Sequence, residues 1–534
     1  MDKRTKVWVT AGLMVGLLVS ALDMTIVDTA FPRMIADLHG ESIFTWVITV
    51  YMLAQTAIVP VVGKLADIYG RKIFYMLGMV LFLIGSMLSG ASQSMTQLIA
   101  FRGLQGIGGG MLAPIAFTII GDLFPGEQRA KMQGLFGGVF GLASIMGPKL
   151  GGWITHNFSW RWIFYINAPV GIVAIAIMFL AYKESRGERR PIDWIGSVTV
   201  VLGIVLFLLE LAQGGTAWAW LSWQSFAITA GAVVSLGVFV YVELRVPEPV
   251  LDFALFKNRT FAVMTLISIL TGAGMFGALV YIPWFIQGVV GVNPSQAGNV
   301  MTPMMMTVVI FSILSGRMVI KFPYRYMISA GFVIMAAAFL FMTRWTIDTT
   351  QFQATLTSML LGVGLGLLMP ILTLAMQNAF PGTRRGVVTS AATFFRQMGS
   401  TIGVTLFGAV FNHQMASQFQ VKVAPQMVQL QPMLAKLPTQ AQEFFRQVAE
   451  SPQMLIRLLL SQDAQAAIPA PIRPSLLAGI KGMMVDSMQT VFWGALSVVV
   501  IGFVVVQFLG NTNLRQQAAE QGVEAVVESP IIAD

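Results

Sequence analysis

Gly63-Lys64-Leu65-Ala66-Asp67-Ile68-Tyr69-Gly70-Arg71-Lys72 is a short charged stretch between two runs that carry no charge at all, Phe44 to Gly63 and Ile73 to Ala91. Each run has the ~20 residues that an α-helix needs to cross the hydrocarbon core of a bilayer. Glycines and opposite charges held between two such runs read as a tight connection between membrane-spanning helices.

Outward from this stretch the pattern repeats. Fourteen spans are predicted: Val7 to Ala30, Phe44 to Gly63, Ile73 to Ala91, Leu98 to Gly121, Met132 to Ile154, Trp162 to Tyr182, Trp194 to Gln213, Gln224 to Val242, Phe261 to Ile286, Gln296 to Val319, Tyr326 to Thr343, Phe352 to Ala379, Gly386 to Phe411 and Gln489 to Leu509. Composition agrees. A soluble domain is about a quarter charged, whereas this chain is 11% charged and 56% hydrophobic, with a mean hydropathy of +0.74. The fold class is therefore an all-α polytopic membrane protein, one membrane unit rather than several soluble domains. With no cysteine there is no disulfide or thiolate metal site, and His39, His156 and His413 lie too far apart to suggest a histidine site; no metal and no cofactor is expected.

The net charge of +9 takes its meaning from its distribution. If the N-terminus is inside, twenty-one Lys and Arg fall in inner segments, against Arg33, Arg161 and Arg344 in the short outer loops. This bias places both termini in the cytoplasm and argues against nucleic acid as a partner. Trp153, Trp160, Trp162, Trp218, Trp220 and Trp223 cluster at outer span ends, as interfacial aromatics do. Lys3, Arg4 and Lys6 precede the first span, but that span is too long for a signal peptide and contains Asp23, so it reads as an uncleaved helix.

Phe124-Pro-Gly-Glu-Gln-Arg129-Ala follows span four, and Phe380-Pro-Gly-Thr-Arg-Arg385-Gly follows span twelve, 256 residues later. The loop from Gly316 and Arg317 to Arg325 likewise looks like a faded copy of Gly63 to Lys72. Spans one to six then correspond to nine to fourteen. This gives an N-terminal six-helix bundle at 1–190, two additional helices and a linker at 191–255, and a C-terminal six-helix bundle at 256–411 and 488–510. An extracellular loop at 412–487 and a cytoplasmic tail at 511–534 complete the layout. The loop, rich in Gln and Pro, reads as short amphipathic helices on the outer membrane face.

At this point a family resemblance is specific. Gly63 to Lys72, Arg102-Gly-Leu-Gln105-Gly-Ile-Gly-Gly-Gly110 in span four and Gly147-Pro148-Lys149-Leu-Gly151-Gly152 in span five resemble, in that order, motifs of the major facilitator superfamily. Leu22-Asp23-Met-Thr-Ile-Val27, Trp160-Arg-Trp-Ile-Phe-Tyr-Ile-Asn167-Ala-Pro169 and Phe395-Arg396-Gln-Met-Gly399 are similar to the fourteen-helix drug:proton antiporters of the EmrB/QacA type. The resemblance covers about Met14 to Leu509. It implies the major facilitator fold and proton-coupled multidrug efflux of lipophilic, cationic compounds by alternating access, in a bacterial-type plasma membrane, by a monomer. The alternative is the same fold moving a lipid, an antibiotic or a metabolite.

The residues themselves support part of that picture. A charge near the bilayer centre costs at least roughly 2.5–3.5 kcal/mol, so Asp23 marks a functional position and is the candidate for proton coupling. Arg102 and Arg396 are also intramembrane; a structural ion pair or a helix-end carbonyl contact is the plain reading of each, and the resemblance adds Arg102 to a proton or conformational relay. Asp23, Asp28, Gln55 and Gln105 are the candidates for substrate contact. The resemblance implies a conformational gate at Gly63, Asp67, Gly70, Arg71 and Lys72, where Asp67 and Arg71 stand i,i+4, together with Gly147, Pro148 and Gly151 in span five. The plain alternatives are headgroup anchoring for the basic residues and helix packing for the glycines. Asp28 and Lys149 depart from the family pattern, which has neutral residues there, and are expected to form an ion pair or to line an unusual polar site. No nucleophile, acid/base or metal constellation points to an enzyme, and no nucleotide-binding G-x-x-x-x-G-K-[ST] loop occurs. The ion gradient is the expected energy source.

Overall fold

The structure is a computed structural model that describes residues 2–38, 43, 46–124, 126–183, 191–215, 217–292, 294–380, 384–425, 455, 459 and 473–511. Every predicted span is helical: α1 Lys3–Ile26, α2 Trp46–Tyr69, α3 Arg71–Ala91, α4 Met95–Leu123, α5 Gly126–Asn157, α6 Asn167–Ala181 and α7 Trp194–Gln213 lead into α8 Trp223–Glu243. The series continues with α9 Arg259–Leu279, α10 Pro294–Met318, α11 Tyr324–Met342, α12 Gln351–Asn378, α13 Arg385–Lys422 and α14 Arg473–Val506. Among the described residues eleven helices are both long and apolar enough to cross a membrane.

Packing reproduces the internal repeat. In the first bundle α1 packs on α5 and α6, and α4 on α2 and α3; in the second, α9 packs on α13 and α14, and α12 on α10 and α11. Across the seam the exchange is reciprocal, with α2 against α13 and α10 against α5. Helices α7 and α8 pair with each other and dock on the outside through α7 and α2. This is the major facilitator architecture with two inserted helices.

Small residues allow these approaches. A Cβ at Gly108 would collide with the backbone of Phe82 on α3, and one at Gly63 with Ser390 and the Gly386 carbonyl on α13. Gly316 repeats the Gly63 crossing against the Ala130 carbonyl on α5, so the faded sequence copy marks an equivalent contact in space. Gly70 turns the chain from α2 to α3 at φ 109°, a conformation that side chains other than glycine rarely adopt.

One boundary needs correction. The 412–487 segment is not all loop, because α13 runs on to Lys422 and α14 begins at Arg473. Hydropathy missed the α13 extension since only one stripe of it is apolar: Phe411, Met415 and Phe419, spaced i,i+4, are buried while the other faces are polar. A Lys422 to Asp486 ion pair at 2.6 Å joins the two extensions. The amphipathic helices expected within the loop, and the tail at 512–534, lie outside the described residues.

Gly108→Leu should lower the melting temperature of the detergent-purified protein by several degrees, since overpacking against backbone costs ~1–3 kcal/mol or more. Gly152→Leu is the control, because a Cβ there meets nothing within 4 Å. Equal melting temperatures for the two variants would contradict the packing.

Candidate functional site

A cavity and a closed face below it occupy the seam between the bundles, and a buried charge cluster lies beside the cavity within the first bundle. The cavity measures about 830 Å³. Its wall is mostly apolar, with Met24, Met52, Phe117, Phe140, Met305 and Met369 prominent, and Gln55, Ser144, Thr373 and Gln397 supply polar points. It reaches from mid-helix toward the face opposite Gly63 to Lys72.

Asp23 does not line this cavity. It is fully buried on the far side of α1, where Arg102 Nη1 donates to its Oδ2 at 2.6 Å, and Gln105 Nε2 and Asn167 Nδ2 donate to its Oδ1 at 2.8 and 3.2 Å. Arg102 Nη1 also donates to Gln105 Oε1 at 2.8 Å, and its guanidinium lies 4.0 Å from the Tyr51 ring centroid. Asn167 continues the chain to Ser86, which donates to the Phe164 carbonyl. Asp23 and Gln105, candidates for substrate contact, are not among the residues that line this cavity; they bond each other and Arg102. Gln55 does line the cavity.

This cluster answers the cost of intramembrane charge. Asp23 and Arg102 sum to zero, and both carboxylate oxygens accept hydrogen bonds, Oδ1 from Gln105 and Asn167 and Oδ2 from Arg102. Protonating Asp23 would leave Arg102 as an uncompensated buried cation, so a proton there forces the guanidinium to find another environment. The charge balance between α1 and α4 therefore depends on whether Asp23 carries a proton.

The face carrying Gly63 to Lys72 is shut by bonds across the seam. The Val387 N–H, in the first turn of α13, donates to Asp67 Oδ2 at 3.0 Å, and Gly386 leaves room for the carboxylate that any Cβ would displace. An anion at a helix N-terminus is favoured by both the free N–H groups and the helix dipole. Arg71 donates to Asp67 Oδ1 at 2.8 Å and pairs with Asp122 Oδ2, while Arg385 donates to Asp122 Oδ1 at 3.2 Å. Carboxylate and guanidinium thus alternate from Asp67 to Arg385. Asp122 is more open to solvent than Asp67, at 24% against 9%, and solvent-screened pairs contribute only ~0–1 kcal/mol each, so the nearly buried Asp67 cap is the stronger part. Lys72 donates to the Phe179 and Tyr182 carbonyls, capping α6 within its own bundle.

The repeat at an offset of 256 forms a second, symmetric clasp. Arg129 donates to Asn378 Oδ1 at 2.5 Å, and the matching pair is Arg385 with Asp122, each arginine reaching the last turn of a helix in the other bundle. Above them Gln133 Nε2 donates to Gln377 Oε1 at 2.7 Å, and Gln377 Nε2 to the Phe117 carbonyl at 3.1 Å, sealing the cavity floor. Sequence reading missed Gln133, Gln377, Asn378 and the role of Asn167. Gln133 and Gln377 were detectable as amides inside apolar spans within four residues of the repeated segments.

Span five splits its glycines between two partners. Gly134, Gly137 and Gly141 face Ser312 and Val309 of α10, whereas Gly147 and Gly151 face Thr25 and Thr29 beside α1. Gly147 and Gly151 therefore pack within the first bundle, against α1 and the turn that follows it, rather than on the other bundle. Pro148 and Lys149 are exposed. Asp28 falls in the turn Val27–Thr29, and its side chain lies outside the described residues, as does the Asp28–Lys149 pair.

Residues 13–404 match the family model described as Major Facilitator Superfamily. The chain belongs to the Major Facilitator Superfamily. The transporter is 44% identical over 531 residues to "Multidrug transporter protein MdtP" of Bacillus subtilis (strain 168), covering 97% of this chain and 96% of that protein. It is 38% identical over 512 residues to "Multidrug resistance protein 3" of the same organism, covering 96% of each. Among solved structures, the human organic anion transporter MFSD10 (TETRAN) superposes with a TM-score of 0.61 over 95% of this chain and 100% of that one; at 13% identity this shows the fold alone.

Asp23→Ala should destabilise the transporter by about 3–5 kcal/mol, the cost of stranding a buried partner, and Asp23→Ala/Arg102→Ala should recover part of that loss. A double mutant whose loss equals the sum of the singles, by thermal unfolding in detergent, would contradict the pairing.

Proposed function

We propose that this chain is a proton-coupled multidrug efflux antiporter that exports lipophilic compounds by alternating access. Its relatives are a named multidrug transporter and a named multidrug resistance protein, each similar over nearly the full length. The single observation that carries proton coupling is the fully buried carboxylate of Asp23, held by Arg102 in a cluster that protonation would unbalance. We place the transporter in the plasma membrane of a bacterium, as a monomer with fourteen crossings and no cofactor. Both termini face the cytoplasm, on the strength of Lys and Arg clustering at the Gly63 to Lys72 face.

In that orientation the cytoplasmic face is the closed one and the cavity faces outward. Asp67, Arg71, Arg385 and the Gln133–Gln377 bond hold this state. A proton entering from outside moves Arg102 off Asp23, α4 carries that shift to Asp122 at its end, and the clasp opens inward. Coupling is thus indirect. Direct exchange of a cationic drug for a proton on Asp23 finds no support in a carboxylate that does not line the cavity.

In vesicles with an imposed pH gradient, Asp23→Asn should slow gradient-driven dye transport at least tenfold, since an uncharged amide cannot carry the proton, while leaving equilibrium dye binding within about threefold because the site is separate. Gradient-coupled transport at the parental rate would overturn the role given to Asp23.

A further inference from the structure

Arg396 is the one charged residue among the described residues that line the cavity. It sits in the first half of α13, half-buried, and its one hydrogen-bond contact is with the Met369 thioether at 3.4 Å, a weak acceptor for a group with five donors. Arg102, by contrast, has a carboxylate at 2.6 Å. An arginine inside a membrane protein normally faces a partner or a cavity that supplies one. Gln397 beside it and Ser312 of α10 also line the cavity, and among the described residues the Ser312 hydroxyl has no hydrogen-bond partner.

We propose that the cavity binds a lipophilic anion: an amphiphile whose carboxylate, sulfonate or phosphate pairs with Arg396 while its apolar body lies against the methionines and Phe117. This rests on the efflux reading for the direction of transport and on the cavity alone for the charge of the cargo. Methionine side chains adapt to apolar bodies of many shapes, so the charge is the selective element. A monocation in the same space would meet a like charge and, among the described lining residues, no carboxylate; Asp23 is committed to Arg102 behind α1. The acidic group can belong to a free lipophilic acid or to an anionic lipid.

The test is equilibrium binding of two permanently charged amphiphiles with the same chain, dodecylsulfonate and dodecyltrimethylammonium, to the full-length transporter in phosphatidylcholine nanodiscs. No gradient is needed, so the result is independent of whether Asp23 carries protons. The sulfonate should bind at least tenfold tighter than the ammonium, Arg396→Gln should erase most of that preference, and Arg396→Lys should keep most of it, as a charge-driven pair requires. Dodecanol, which is uncharged, should bind parent and variants alike and so reports a folded cavity. Should Arg396→Gln not fold, the parental preference and Arg396→Lys still decide. A parental preference for the ammonium, or unchanged sulfonate affinity in folded Arg396→Gln, would overturn the proposal. Adding phosphatidylglycerol to the nanodiscs separates the sources: competition with the sulfonate assigns the anion to lipid, and its absence assigns it to a free acid.

Discussion

The carboxylate of Asp67 resting on the first turn of α13 is the interaction on which the observed state depends. It is the nearly buried charge of one bundle engaged by backbone donors of the other, and it needs three things at once. Gly70 must turn the chain so that Arg71 can fold back on Asp67, Gly63 must let α2 approach α13, and Gly386 must leave room for the carboxylate. The ten-residue stretch from Gly63 to Lys72 therefore acts as one unit in this contact, its glycines setting the distance and its charges making the bonds across the seam.

Symmetry explains why the device works on one side only. The Gly316 crossing against α5 matches the Gly63 crossing against α13, and Arg325 reaches Gln507 at the end of α14 much as Lys72 reaches the end of α6. What the second half lacks is the carboxylate: Ile320 stands where Asp67 would be. Packing is thus duplicated while the electrostatic hold is not. An asymmetric hold of this kind can be released by events in one bundle, and the Asp23–Arg102 cluster lies in that same bundle.

The helices, the repeat and the charged stretch were legible in the sequence because each rests on a local signal: apolar length, similar segments at a fixed offset, or an i,i+4 pair. Pairing of Asp23 with Arg102 was not legible, since nothing in one chain says that two intramembrane charges share a site, and Asp23 accordingly looked like a substrate contact. The α13 extension escaped for a related reason, because its apolar stripe of Phe411, Met415 and Phe419 is diluted by polar neighbours in any average of hydropathy. Arg396 read as structural until its surroundings showed a cavity and, among the described residues, no counter-charge.

Ile73 and Tyr326, exposed and equivalent in the two halves, report the width of the closed face. The chain has no cysteine, so cysteines placed there take spin labels without background. The decisive measurement is the inter-label distance distribution by pulsed electron spin resonance in the parent and in Asp67→Asn. The account predicts one short-distance population in the parent and a second, longer one in the variant, as the bundles part at this face. Identical distributions in the two proteins would contradict the claim that Asp67 on the α13 N-terminus holds the transporter shut.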